Sequence, residues 1–291
     1  MKKIRYISIA VLLMSLAMLL SGCSSNKIVK ELTDKGYFAN SYDEAILQTD
    51  IYGIISKHFE NVGTKKKKAM LITVDGMRAE GLEYIMGSDL GISTISKDGG
   101  LYWTKPANLD TQAKIDIGVN FLSIITGEEP STFDVLKKTD AKREVPYSIM
   151  AKASEKYNVK FITDNKNYID SQLALELKAK DSPRLSYVAS SDLNGLKNDC
   201  LNSISDNDIL VVATSDPYNV AQGNYSMSNS AYLSAILHLN YYIADIYEQI
   251  KKTNDDWLFI LATTCGGKSK LAFDKEEGNI LTFMFTNQKL G

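Results

Sequence analysis

Residues 69–76 read Ala-Met-Leu-Ile-Thr-Val-Asp-Gly, an apolar, β-rich run that stops on an acid and a glycine. A continuous apolar run, rather than an alternating one, suits a strand buried on both faces. Val159–Thr163, Ile209–Thr214, Leu258–Ala262 and Ile280–Phe285 have the same character. Between them, Tyr147–Tyr157 and Ala231–Ile250 place apolar residues at helical spacing. This alternation predicts an α/β fold: a three-layer, open, mostly parallel sheet with helices on both faces. No internal repeat and no Pro- or Ser-rich linker interrupts 69–291, so this stretch reads as one domain. Residues 23–68 read as a tether and helical extension. Its helix is expected over Tyr42–His58, capped by Ser41, with Ala45, Ile46, Ile51, Ile54 and Ile55 as the apolar stripe. Lys65–Lys68 reads as a solvated entry to the first strand.

The first 22 residues have a different composition. Lys2, Lys3 and Arg5 precede an apolar run, Ile9–Leu20, broken only by Ser15, and Leu20-Ser21-Gly22-Cys23 closes it. The run is short for a membrane span and has the flanks of a signal peptide. Small residues before a cysteine at this place resemble the lipobox of bacterial lipoproteins. That resemblance implies cleavage before Cys23, a lipid on its thiol, and a location on the extracytoplasmic face of the cell membrane. Several acyl chains suffice for stable anchoring. The net charge is −2, and losing three basic residues with the leader leaves −5. Such a balance excludes a strongly basic nucleic-acid binder, and no nucleic-acid partner is expected. Cys200 and Cys265 then remain, 65 positions apart, with no disulfide framework implied.

In a parallel sheet, sites form beyond the carboxyl ends of the strands. Those ends deliver Val74-Asp75-Gly76-Met77-Arg78, Thr214-Ser215-Asp216-Pro217 and Thr263-Thr264-Cys265-Gly266-Gly267, while Asp116–Gly127 leads from a loop into a helix. Taken in this order, the four segments resemble the alkaline phosphatase superfamily, in particular its type I phosphodiesterase/nucleotide pyrophosphatase branch. The likeness covers roughly 69–285. It implies an alkaline phosphatase-like core, two zinc ions held by carboxylates and histidines, and a Thr or Ser nucleophile. Two dications would activate the nucleophile and stabilise both oxygens of an in-line displacement.

Carried over residue by residue, the pattern is mostly lost. Asp75 and Asp216 match metal-binding positions, one for each ion. Ile117 stands at the nucleophile, Val220 at a ligand histidine, and Asn219 at a glycine that precedes it. Thr264 and Cys265 replace an acid and a histidine, and no histidine follows His238 where the last ligand belongs. Two of seven expected positions survive, too few to replace the hydration shell of zinc. Asp116, beside Ile117, is a substitute carboxylate if the alignment shifts by one residue.

Each residue has a plainer reading as well. Asp75 could cap a following turn, Asp216 could serve the turn before Pro217, and Cys265 suits a small buried residue. Thr111, Ser123 and Thr126 have no visible base, and His58 and His238 read as structural or solvated. Tyr218, Tyr225, Tyr232, Tyr241, Tyr242 and Tyr247 read as core or rim rather than a carbohydrate or nucleoside platform. The function expected is therefore a membrane-anchored lipoprotein with a catalytically impaired phosphodiesterase-like domain that binds a ligand or partner, without a cofactor. Two alternatives stand beside it. One is an active phospho- or sulfoester hydrolase using one Ca²⁺ or Mg²⁺ on Asp75, Asp116 and Asp216. The other is a solute-binding lipoprotein, disfavoured because one sheet's worth of strands is visible.

Overall fold

The computed structural model describes residues 27–106, 117–129, 148–170, 182–267 and 280–290. Among the described residues eight strands form one sheet: β1 Ile46–Leu47, β2 Lys67–Asp75, β3 Gly100–Lys105, β4 Val159–Thr163, β5 Leu185–Ala189, β6 Ile209–Thr214, β7 Asp256–Cys265 and β8 Thr282–Thr286. Their order is β1-β3-β8-β7-β2-β6-β4-β5. Only β8 runs antiparallel to its neighbours, β3 and β7. The described helices are α1 (27–34), α2 Asp50–Glu60, α3 Leu82–Ile85, α4 Ile92–Asp98, α5 Ile117–Thr126, α6 Ile149–Ala153, α7 Asn167–Asp170, α8 Leu193–Leu201, α9 Asp216–Ala221 and α10 Ser230–Lys251.

β2 is central, which explains why its run from Ala69 to Val74 is apolar but for Thr73. Met70, Ile72 and Val74 join one core with residues of α3, α4, α8 and α10, while Ala69 and Leu71 join a second with α2, α5 and α6. Strand pleating sends alternate side chains to opposite faces, so both faces must be apolar. Helix starts follow ordinary capping chemistry: the Ser148 side chain accepts from Ala151 N and that of Asp192 from Gly195 N.

Several expectations need correction. The helix expected over Tyr42–His58 starts only at Asp50; Ile46 and Leu47 instead pair in parallel with Thr104 and Lys105 of β3. The Ser41 side chain bonds Glu44 rather than capping the helix. Helical structure expected over Tyr147–Tyr157 is confined to Ile149–Ala153 and the turns after it. The lysine run is a solvated entry only in its first half: Lys65 and Lys66 are exposed, with Lys66 pairing with Asp208, whereas Lys67 is partly buried and pairs with Asp256. Lys68 is 3% exposed, pairs with Asp255 at 3.3 Å, and donates to the carbonyls of Ile204 and Ser205. Pairing at both neighbours pins the entry of the central strand.

Leu71 is fully buried at the middle of β2. Leu71→Ala should lower stability by about 3 kcal/mol through lost burial and a residual cavity, read as a lower urea midpoint with unchanged slope.

Candidate functional site

The strand ends converge on one carboxylate. Parallel pairing carries Val74 opposite Thr214 on one side and Thr263 on the other, but the β7 register then shifts so that Asp75 faces Cys265. The extra residue in β7 is Thr264, and a bulge of this kind re-aims a side chain. Its Oγ1 donates to Asp75 Oδ1 at 2.5 Å. Ser215, the first residue past β6, donates through Oγ to Asp75 Oδ2 at 2.5 Å. Tyr168, on α7 just beyond β4, donates its hydroxyl to the same oxygen at 2.9 Å. All four side chains are buried. Asp75 therefore caps no turn; it is an acceptor that ties together the ends of four adjacent strands.

A second carboxylate supports the first. Asp164, at the end of β4, accepts from Thr214 Oγ1 at 2.5 Å and from the Ser215 amide at 3.0 Å, and Asn165 Nδ2 donates to Ser215 Oγ at 2.9 Å. These contacts orient the Ser215 hydroxyl so that its proton points at Asp75. Burial pushes the Asp75 carboxyl up to about 6, and the three hydroxyls oppose that rise. Burial likewise raises Asp164 and Asp216.

The rim of the same region is aromatic. Gly76 adopts φ +75°, and a Cβ there would sit 2.7 Å from Tyr218 Cα; Gly267 adopts φ +85°, and its Cβ would meet Tyr225 Cε1 at 2.1 Å. Only glycine permits both the left-handed turn and the close approach. Tyr225 lies between Tyr218 and Tyr232, with ring centroids 6.1 and 5.5 Å away. Tyr232 donates its hydroxyl to Gly76 O at 2.7 Å and accepts from Arg78 N at 3.0 Å. Arg78 donates to Gly267 O at 3.0 Å, and its guanidinium carbon stands 5.3 Å from the Tyr225 ring centre.

The remaining expected residues disperse around this centre. Asp216 begins α9, half-buried, with its amide bonded to Thr214 Oγ1. Asn219 and Val220 lie on the same short helix. Ile117 begins α5. One turn on, Asn120 Nδ2 donates to Thr264 O at 2.6 Å, sharing that carbonyl with Gln48 Nε2. Cys265 is buried and its thiol is pushed up to about 12 by burial and by Asp75. Cys200 and Cys265 are both free. His58 is buried against the Asp256 carbonyl, whereas His238 is exposed on α10. Asp116, Thr111 and Cys23 lie outside the described residues. Tyr168, Asp164 and Asn120 escaped the sequence reading. Thr163-Asp164-Asn165, an acid and an amide after a strand, was the available signal for one of them.

Comparison with solved structures sets this geometry in context. A Vibrio parahaemolyticus protein in the alkaline phosphatase superfamily superposes with a TM-score of 0.52 at 13% identity, over 83% of this chain and 70% of that one. The fold is alkaline phosphatase-like. The C-terminal periplasmic domain of EcEptC from Escherichia coli, in complex with Zn, matches with a TM-score of 0.51 at 10% identity, over 77% of this chain and 74% of its own. Streptococcus pyogenes phosphoglycerol transferase GacH matches with a TM-score of 0.50 at 11% identity, over 82% and 75%. No protein-family model and no curated protein matches the sequence.

The superfamily resemblance implies two zinc ions, and the described residues do not fit them. Asp75 already accepts three hydroxyl bonds, two on Oδ2 and one on Oδ1, which take up most of its roughly four lone-pair sites. Among the described residues no group of three or more His, Cys, Asp or Glu side chains could hold a metal ion. Zinc sites normally supply three or four such donors.

A buried acid raised from 3.8 to about 6 favours the folded state while protonated and loses that contribution as pH rises through about 6. Asp75→Asn removes this dependence. Relative to wild type, its stability should therefore rise by about 2 kcal/mol between pH 4 and pH 7, most of the full effect, because each tenfold difference in proton affinity between the folded and unfolded chain is worth about 1.4 kcal/mol. Asp75→Ala strands three hydroxyls and should lie about 1–3 kcal/mol below Asp75→Asn. Urea unfolding at the two pH values measures both.

Proposed function

We propose that this chain is a membrane-anchored lipoprotein whose alkaline phosphatase-like domain no longer runs the two-zinc reaction and instead binds a ligand or partner. The observation that carries this reading is the capture of Asp75 by Thr264, Ser215 and Tyr168. A metal ligand must present a lone pair to the cation; this carboxylate presents most of its lone pairs to protons. The position corresponding to the nucleophile is Ile117, which has nothing to donate to phosphorus. Asp216 remains as a half-buried acid on α9, its backbone amide bonded to Thr214 Oγ1. No described helix is long and apolar enough to cross a membrane. Anchoring is assigned to a lipid on Cys23 because Leu20-Ser21-Gly22-Cys23 resembles a lipobox, and the periplasmic location of the EcEptC domain agrees with an extracytoplasmic placement.

The test is metal content together with turnover of p-nitrophenyl phosphate and its bis ester. Purified protein equilibrated with zinc and desalted should retain far less than one ion per chain by mass spectrometry. Any hydrolysis should be the same in Asp75→Ala as in wild type. Two retained zinc ions with turnover lost in Asp75→Ala would refute the reading.

A further inference from the structure

We propose that the outer surface of the layer formed by α1, α3, α4 and α10 lies against the lipid bilayer, with Tyr84, Leu90 and Tyr241 as its contacts. This rests on the lipid-anchor reading above and adds to it an orientation.

The first observation is the length of the tether. Only Ser24, Ser25 and Asn26 separate Cys23 from α1, so the lipidated residue reaches at most roughly 14 Å beyond that helix. Helix α1 is not a free linker. Leu32 is buried in the core that α3, α4 and α10 share, with Ile28 and Val29 packed on it, and Lys35 at its end pairs with Glu83 on α3. A further contact fixes the exit: Phe38 stacks on Trp103 of β3, with ring centroids 3.7 Å apart. The anchor is thus joined by a short leash to one layer of the domain.

The second observation is what that layer presents. Tyr84 on α3, Leu90 just before α4 and Tyr241 on α10 are 49%, 43% and 54% exposed. Leu90 and Tyr241 adjoin residues in direct contact, since Ile92 N donates to Asn240 Oδ1 and Gly91 abuts the Asn240 carbonyl. Tyr84 follows Glu83, the partner of Lys35. Tyrosine and leucine suit the membrane–water boundary, where one end of the ring stays wet.

Charge is the third. Four lysines on and beside this layer are matched locally, Lys35 with Glu83, Lys97 with Asp89, Lys197 with Asp245 and Lys251 with Glu248, and α1 itself carries Lys27 and Lys30 with Glu31 and Asp34. Paired charges give a surface without a strong field of either sign. A zwitterionic bilayer is therefore the occupant that the surface fits.

The test uses the full chain with Tyr84→Cys, Leu90→Cys, Tyr241→Cys or Val62→Cys. Each is labelled with a fluorophore and reconstituted into phosphatidylcholine vesicles that carry nitroxide-labelled lipid. Val62, fully exposed between α2 and β2, is the control. Native Cys200 and Cys265 are buried. In chains that float with the vesicles, quenching at 84, 90 and 241 should exceed that at 62 at least threefold. Floating chains with equal quenching at all four sites, or more at 62, overturn the orientation and leave the anchor intact. Chains that do not float, with no lipid mass on Cys23, overturn the anchor and the orientation with it. A chain with Cys23→Ser should stay in solution, which separates anchoring by lipid from adsorption through the surface alone.

Discussion

A carboxylate removed from water must be given other hydrogen-bond donors, or the site that holds it cannot stay dry. Asp75 ends the central strand in a place where the sheet leaves it no solvent, and everything around it answers that demand. Thr264 is turned inward by a bulge, Ser215 is oriented by Asp164 and Asn165, and Tyr168 reaches in from α7. Because the donors come from the ends of different strands, satisfying one side chain also fastens β2, β4, β6 and β7 at the same edge. The interaction is local in chemistry and global in consequence.

The same demand bears on function. Where the resemblance implies dications, a ring of hydroxyls supplies protons. Hydroxyl donors and metal ions compete for the same lone pairs, so a site arranged for one is poorly arranged for the other. Above this centre, Tyr225 packs onto Gly267 and Tyr232 closes on Gly76 O, which fills with aromatic rings the rim next to the carboxylate.

The fold was legible because its central strands are apolar on both faces; β2, β4, β6 and β7 stand within a few residues of where periodicity places them. What escaped the sequence reading lies toward the two ends of the sheet. Gly100–Lys105 opens on glycine and closes on Thr-Lys, and Leu185–Ala189 alternates as a half-exposed edge strand does, so neither carries a long continuous apolar run. Ile46 and Leu47 fall at helical spacing with Ile51 and Ile54, but pairing with β3 outweighs local periodicity. At the site, Asp75 stands out because it follows the strand directly. Its partners do not, because Tyr168 and Ser215 lie 93 and 140 residues away and hydroxyls are common in every loop. Pairings of that range belong to the topology, and a list of strand ends names the candidates without saying which of them meet.

The most direct measurement is anomalous scattering at the zinc edge from crystals of the protein grown in excess zinc. The account predicts no peak at bonding distance, about 2.0–2.2 Å, from either oxygen of Asp75, with the hydroxyls of Thr264, Ser215 and Tyr168 still in place. Two strong peaks at the ends of β2 and β6, one bonded to Asp75 and one to Asp216, would contradict it.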